Sequence, residues 1–448
     1  MTELHWESAA NEFPRVLVVG QGLNRITGGG ITLCSLFQGW DKAALASITT
    51  IEDSGSGDVC NRVFAYGPNE DHIVWPLSLF RRRRDENGSL SFGDPGSAAP
   101  ATPVTGRSAS LRSKGQKLID TLGVGDYVRT LRLSEELDGW ISDFAPQVLY
   151  SQLSSLSLIR LLLTIQERYG VPVVLHFMDD WPVTACRRGP MVGRARKQME
   201  EGLEQLVSTC HAGLCIGEAM CEAYASRYDR MFRPFQNCIE FESWAKHSKQ
   251  HWSFSEPFTI GYTGRVGTAN VDSLARVTTV VSRLAEGGAP VRMRLVINSN
   301  TTVASRLAQM TGVEFQGRIP HDAMPSFLGS CDALLLPLDF DSGSQDFARY
   351  SMPSKLPEYL ASGTPVVLVA PAQLAVTEYV RRRQCGLVID SLESEEIGQA
   401  ISHLMADEAL RSRLGRAGFE VAMREHDGRV VRANFRDVFV RASQGIRV

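Results

Sequence analysis

The chain has 448 residues, 43% of them hydrophobic and 22% charged, with 47 Lys and Arg against 50 Asp and Glu for a net charge of −3. That length calls for more than one core, since single cores stop growing at about 250–300 residues, and the near-neutral balance offers no field for nucleic acid. Nine cysteines without a CxxC pair exclude a disulfide scaffold or a zinc clip and read as reduced thiols, which favours the cytosol. Residues 1–13 lack the basic and apolar regions of a signal peptide, and no apolar run reaches the ~18–20 residues that span a bilayer.

In chain order, apolar and β-branched runs predict strands over Arg15–Gly20, Ala46–Ile51, Gln147–Ser151 and Val171–Phe177. After a polar, aromatic interruption at 238–257, further strands are predicted over Phe258–Gly264, Val291–Ile297, Val313–Gln316, Asp332–Leu338, Thr364–Ala370 and Leu387–Ile389. Several are apolar throughout, the mark of parallel strands covered on both faces. Helical stripes lie between them, among them Leu33, Leu36, Phe37 and Trp40, and Leu158, Leu161, Leu162 and Ile165. The rhythm predicts an α/β protein of two Rossmann-like domains, over 1–245 and 256–425, with a helix at 426–448. Arg81–Gly115, polar and rich in Gly, Ser and Pro, reads as a flexible insertion. Its Arg81–Arg84 run reads as a solvated face, with an anionic partner or a peripheral membrane contact as the alternative.

Three places could carry chemistry. Gly28, Gly29 and Gly30 precede a helix, where bare backbone lets amides approach an anion; the alternative is a flexible turn. A dinucleotide reading of Gly20-x-Gly22 is disfavoured, because the sixth position is Arg25 and the acid, Glu52, lies far off. His176, Asp179 and Asp180 follow a strand end, where open α/β sheets bind ligands. The third place is Asp339–Pro365, a polar loop leading into a helix expected to start near Pro353. On it Lys355 and Glu358 share a polar arc beside Leu356, Tyr359 and Leu360. That pairing suits a nucleotide diphosphate and its ribose, or is an ordinary surface ion pair. Asp339 and Asp341 have the form of a metal-holding DxD, a weak signal in an Asp-rich loop.

These residues resemble the retaining glycosyltransferases of the GT-B fold, glycosyltransferase family 4. The matching segments are the Gly28–Gly30 loop; HFMDDWP at 176–182 with CIGEAMCEAYASRY at 215–228; GYTGRV at 261–266; and the stretch 313–367, which contains YSMPSKLPEYLASGTPVV. The resemblance implies two Rossmann-like domains facing across a cleft, with the last helix crossing back to the first. It implies transfer of a sugar from a nucleotide-sugar donor, a co-substrate rather than a cofactor, to an acceptor hydroxyl with retention, for a polysaccharide, a glycolipid or a natural product. A location in the cytoplasm, or peripherally at the inner face of the membrane, goes with that reading. No metal is expected, because basic side chains and a helix dipole neutralise the leaving diphosphate. Arg265 matches the family's first phosphate-binding cation. Asn270 stands near the place of the second, and Lys355 compensates. Glu358 matches the second of two family glutamates, and Tyr350 stands where the first belongs. The resemblance assigns catalysis to His176, Asp180, Arg265 and Lys355. It assigns the donor to Gly29, Gly30, Gly264, Arg265, Arg318, Tyr350, Ser351, Met352, Pro353, Ser354, Lys355 and Glu358. Tyr350 also motivates a non-catalytic binding homologue as the alternative, and the shared fold a nucleotide-sugar 2-epimerase.

Overall fold

The computed structural model describes residues 13–25, 28–50, 53, 57–73, 88–91, 129–185, 192–254, 256–267, 269–297, 302–317 and 319–448. The strands of the first part are β1 (Val16–Val19), β2 (Leu45–Thr49), β3 (Arg62–Ala65), β4 (Asp71–Ile73), β5 (Gly88–Ser91), β6 (Arg129–Leu131), β7 (Val148–Ser151), β8 (Val173–Phe177), β9 (Ala212–Cys215) and β10 (Arg233–Pro234). Those of the second part are β11 (Phe258–Gly264), β12 (Val291–Ile297), β13 (Val313–Gln316), β14 (Ala333–Pro337), β15 (Val366–Val369) and β16 (Leu387–Ile389). They build an eight-stranded sheet in the order β10-β9-β8-β7-β1-β2-β3-β5 and a six-stranded sheet in the order β13-β12-β11-β14-β15-β16, with β4 and β6 paired apart. All pairings in the second sheet are parallel; in the first, only β5 runs antiparallel, against β3.

The long apolar strands behave as their composition demands. Val16–Val19, Val148–Ser151, Val173–Phe177 and Val366–Val369 are buried at every position, because helices cover both faces. Each sheet separates two apolar clusters, one on either side.

Some expectations need correction. Gly88–Ser91, inside the segment read as a flexible insertion, pairs with Arg62–Ala65 as a sheet edge. The rest of 81–115, with Arg81–Arg84, lies outside the described residues, as do Glu52 and Arg318. The first helix does not follow the three glycines but contains them, over Gly28–Leu36. The helix expected near Pro353 spans Leu356–Ala361, with Pro357 in its first turn; the Pro353 carbonyl accepts a bond from Leu356 N–H at 3.0 Å, a turn preceding the helix.

The last helix, Gly428–Ser443, crosses to the first domain. Its Phe435 and Phe439 are buried and meet Phe37 edge-on, with ring centroids at 5.1 and 5.6 Å. Two chain crossings run side by side between the domains. Ile239 N–H donates to His426 C=O at 3.0 Å, and Gly428 N–H donates to Ile239 C=O at 2.9 Å. Among the described residues no helix is long and apolar enough to cross a membrane.

Candidate active site

The strand order marks where ligands belong. In an open parallel sheet the loops part where the order reverses, leaving a crevice at the carboxyl ends of two strands. The first sheet reverses between β1 and β7, the second between β11 and β14.

At the first reversal the chain leaves β1 and reaches the helix Gly28–Leu36. Its three glycines differ. A Cβ on Gly30 would lie 2.6 Å from Asn24, side chain and backbone alike, so Gly30 is demanded by packing. A Cβ on Gly28 would meet nothing within 4 Å, and one on Gly29 would lie 3.9 Å from Gln152 Oε1 and 4.0 Å from Gln21 Oε1. Gly28 and Gly29 thus offer bare backbone to open space. Gly29→Val is expected to cut turnover at least tenfold with little change in melting temperature, because its branches occupy that space. Gly30→Val is expected to destabilise by about 1–3 kcal/mol through overpacking. Thermal melts and activity per folded molecule check both. A Gly29→Val protein that melts lower yet turns over normally would make the glycine structural.

His176, at the end of β8, does not face this crevice. It is 1% exposed, its Nδ1 lies 2.8 Å from Tyr150 Oη, and Phe435 of the last helix packs beside it at 6.4 Å between centroids. Burial lowers its pKa to about 4, so the ring is neutral at physiological pH. Asp180 is 6% exposed and fully engaged: it accepts from Tyr224 Oη at 2.9 Å and from both Arg227 Nη atoms at 2.9 and 3.1 Å. This bidentate pair ties the helix Glu218–Tyr228 to the end of β8. Asp179 accepts from the Trp181 backbone instead, and burial raises its pKa. Of the two acids, Asp179 is the one that no cation holds among the described residues.

At the second reversal β11 ends in Gly264, whose φ of +153° suits glycine. The exposed Arg265 follows, and among the described residues its guanidinium makes no ion pair. Asn270 fixes the loop. Its Oδ1 accepts from Gly267 N–H at 2.9 Å, and its Nδ2 donates to Tyr262 Oη and Arg265 C=O at 3.1 and 3.0 Å. The residue standing near a phosphate-binding lysine's place is therefore occupied in shaping the backbone around Arg265. Tyr359, fully buried, accepts from Thr263 N–H at 2.9 Å and donates to Thr263 C=O at 3.2 Å. Those bonds clamp the helix Leu356–Ala361, which carries Glu358 and is preceded by Lys355, to the end of β11, two residues before Arg265. Lys355 Nζ donates to Glu358 Oε2 at 2.8 Å, with side-chain exposures of 34% and 13%.

Neither acid of the DxD form is free. Asp339 accepts from Ser273 N–H at 2.7 Å at the start of the helix Val271–Glu286, and Asp341 caps the helix Ser342–Ala348 by accepting from Ser344 N–H at 3.0 Å. The Ser344 side chain, together with that backbone bond, lowers the Asp341 pKa. Among the described residues no three potential metal ligands stand together.

Between the two reversals the domains touch. Met352 packs against apolar clusters of both domains, and Tyr350 packs against that of the first, with the Arg349 guanidinium 5.4 Å from its ring. Ser351 and Pro353 are half-buried and Ser354 is exposed. Glu218 of the first domain pairs with Arg382 and with Arg383, which also binds Glu425 at 2.7 Å. Tyr379 Oη lies 2.8 Å from Glu425 Oε2 and 3.0 Å from His426 Nε2, with one proton to share between them. His426 Nδ1 meets Asn237 C=O at 2.9 Å, and Thr32 Oγ1 donates to Asn237 Oδ1 at 2.8 Å. This chain of bonds ends on the glycine-bearing helix itself. Burial lowers the His426 pKa to about 4, so the link is uncharged there.

Gln21 and Gln152 escaped the sequence reading. They stand beside the reversal between β1 and β7, and nothing in the local pattern tells which strands flank a reversal.

Residues 257–407 match the family model described as glycosyl transferases group 1. No curated protein matches. Among solved structures, sucrose-phosphate synthase from Thermosynechococcus elongatus has a TM-score of 0.61 at 11% identity, covering 96% of this chain and 100% of that one. Anabaena HepE, solved with UDP and glucose, has 0.57 at 12%, covering 95% and 99%. An α,α-trehalose-phosphate synthase (UDP-forming) from Burkholderia vietnamiensis has 0.55 at 14%, covering 96% and 100%. At these identities the likeness is one of fold, and it runs the length of both chains. The chain has the two-domain GT-B fold of these structures, and over residues 257–407 it is similar to the glycosyl transferases of group 1.

Proposed function

We propose that the protein transfers a sugar from a nucleotide-sugar donor to an acceptor hydroxyl, with retention at the anomeric carbon. The observation that carries this is the second reversal, inside the matched domain, where the Tyr359–Thr263 bonds tie the helix of the Lys355–Glu358 pair to the strand end that leads into Arg265. In this reading the two cations neutralise the charge that grows on the leaving diphosphate, and Glu358 accepts from ribose hydroxyls. HepE's complex with UDP and glucose supports a uridine nucleotide as the first donor to try. The acceptor enters from the first domain, over Gly28 and Gly29, at the cytoplasmic face of a membrane or in the cytosol. Retention rests on the resemblance of the 313–367 segment to family 4.

Slow hydrolysis across a panel of nucleotide sugars tests the proposal. One donor should be turned over, with release of its nucleotide. Interconversion of epimers would favour the 2-epimerase, and binding without turnover a non-catalytic homologue. A failure of any nucleotide sugar to bind would overturn sugar transfer altogether. The donor needs no cofactor beside it in this reading. Activity is therefore expected to survive EDTA unchanged, since Asp339 and Asp341 are spent on helix starts. Loss with EDTA and rescue by Mn²⁺ would overturn metal independence.

A further inference from the structure

Gln152 is 7% exposed, yet its side chain reaches the floor of the first reversal. Its Nε2 donates to Tyr150 Oη at 3.1 Å. Tyr150 in turn lies 2.8 Å from His176 Nδ1 and is wholly buried with it. With the ring proton on Nε2, on the side of the Phe235 backbone, the tyrosine hydroxyl donates to Nδ1 and accepts from the amide, which fixes the amide's sense. Gln21 is anchored likewise, its Nε2 donating to Gln152 C=O at 3.0 Å. One hydrogen of each amide nitrogen is thus given to protein, which sets which way each amide faces. Both amide oxygens converge on the open space above Gly29, 3.9 and 4.0 Å from where its Cβ would be. Among the described residues neither oxygen has a hydrogen-bond partner. The loop's sole arginine, Arg25, is turned to Asp58 at 3.5 Å.

We propose that Gln21 and Gln152 are specificity-determining residues that select a neutral, hydroxyl-bearing sugar ring as acceptor, gripping it above Gly29. The inference rests on the sugar-transfer reading and names its acceptor class. Two carbonyl oxygens can only accept, so whatever sits there must donate. The backbone at the start of the helix Gly28–Leu36 presents the complementary N–H groups. A hydroxyl, both donor and acceptor, satisfies the two sides at once. A phosphate or carboxylate meets the helix start well but leaves the oxygens facing its own. His176 and Tyr150 are positioning residues: they touch no substrate and hold the Gln152 amide one way round.

The test uses the full-length protein saturated with UDP. Probes are neutral methyl hexosides and the matching hexose 6-phosphates, with binding read by saturation-transfer NMR and UDP affinity by calorimetry. At least one methyl hexoside should bind about tenfold or more tightly than its phosphate. Gln152→Met and Gln21→Met should each weaken it by about tenfold with UDP affinity unchanged. Tyr150→Phe should weaken it less, since it only frees the amide to turn. Gln21 is half-buried, so its variant remains informative if Gln152→Met melts early. Tighter binding of a hexose phosphate would overturn the proposal. So would undiminished binding in Gln21→Met, or no hexoside binding while UDP still binds. Failure of the parent to bind UDP or any other nucleotide of the donor panel would strike the sugar-transfer reading instead.

Discussion

Lys355→Ala is expected to lower turnover of the donor by about 10²–10³-fold, the usual loss when one stabiliser of developing charge is removed. The fold should barely notice. Lys355 precedes the helix, whose buried side is Leu356, Tyr359 and Leu360, so truncation opens no core cavity. As an ordinary intrahelical ion pair alone, Lys355 and Glu358 would contribute only about 0.3–0.5 kcal/mol. A hundredfold loss of rate corresponds to about 2.7 kcal/mol. The two roles therefore differ several-fold in energy, and kinetics with a thermal melt separates them. Glu358→Ala should act on binding instead, weakening the donor by about ten- to a hundredfold through a lost charge-assisted contact of ~1.5–3 kcal/mol. Tyr350→Phe should matter less than either, since Tyr350 packs against the first domain's core. If Lys355→Ala and Glu358→Ala both fold and turn over like the parent, the pair is an ordinary surface salt bridge.

Asp180→Ala is expected to cost about 3 kcal/mol of stability, in the range for breaking a buried pair from one side. It would leave the buried Tyr224 hydroxyl without its acceptor and the Arg227 guanidinium without its bidentate partner. The helix Glu218–Tyr228 would then lose its tie to β8. Asp180→Asn should cost less, because the amide oxygen can still accept from Tyr224. Chemical denaturation measures both, and activity per folded molecule should stay within a few-fold of the parent. A normally stable Asp180→Asn without turnover would restore Asp180 to acid/base chemistry and void the anchoring role.

The legible parts of the fold were those written in local composition. Phe258–Gly264, Val291–Ile297 and Leu387–Ile389 emerge with the limits their apolar runs suggest. Val313–Gln316 is a strand for a different reason: it is an edge, exposed over its last three residues, and its side chains need not be apolar. Ala212–Cys215, with Ala, Gly and Cys among its four residues, carries little β-branched signal and went unseen, though it is central enough to be fully buried. The helix Gly28–Leu36 runs through glycines that disfavour it locally, held by the close packing of Gly30 on Asn24. At the site, the Lys355–Glu358 pairing follows from helical spacing alone. That Asp180 is held in a buried ion pair depends on Tyr224 and Arg227, more than forty residues away. Contacts of that span have no local pattern to announce them.

The crossing of the last helix has a consequence for the order in which the protein is made. The first domain's core is closed by Phe435 and Phe439, which pack on Phe37, Trp40 and Tyr150. Residues 13–234 leave the ribosome with that face uncovered, and it stays so throughout synthesis of the second domain. Domain-by-domain folding from the N-terminus, the usual course for a nascent chain, thus leaves this face of the domain made first open until Phe435 and Phe439 arrive. The second domain can finish while its elder partner waits. A ribosome that stalls before residue 428 leaves a lobe with an open apolar seam, a natural substrate for chaperones.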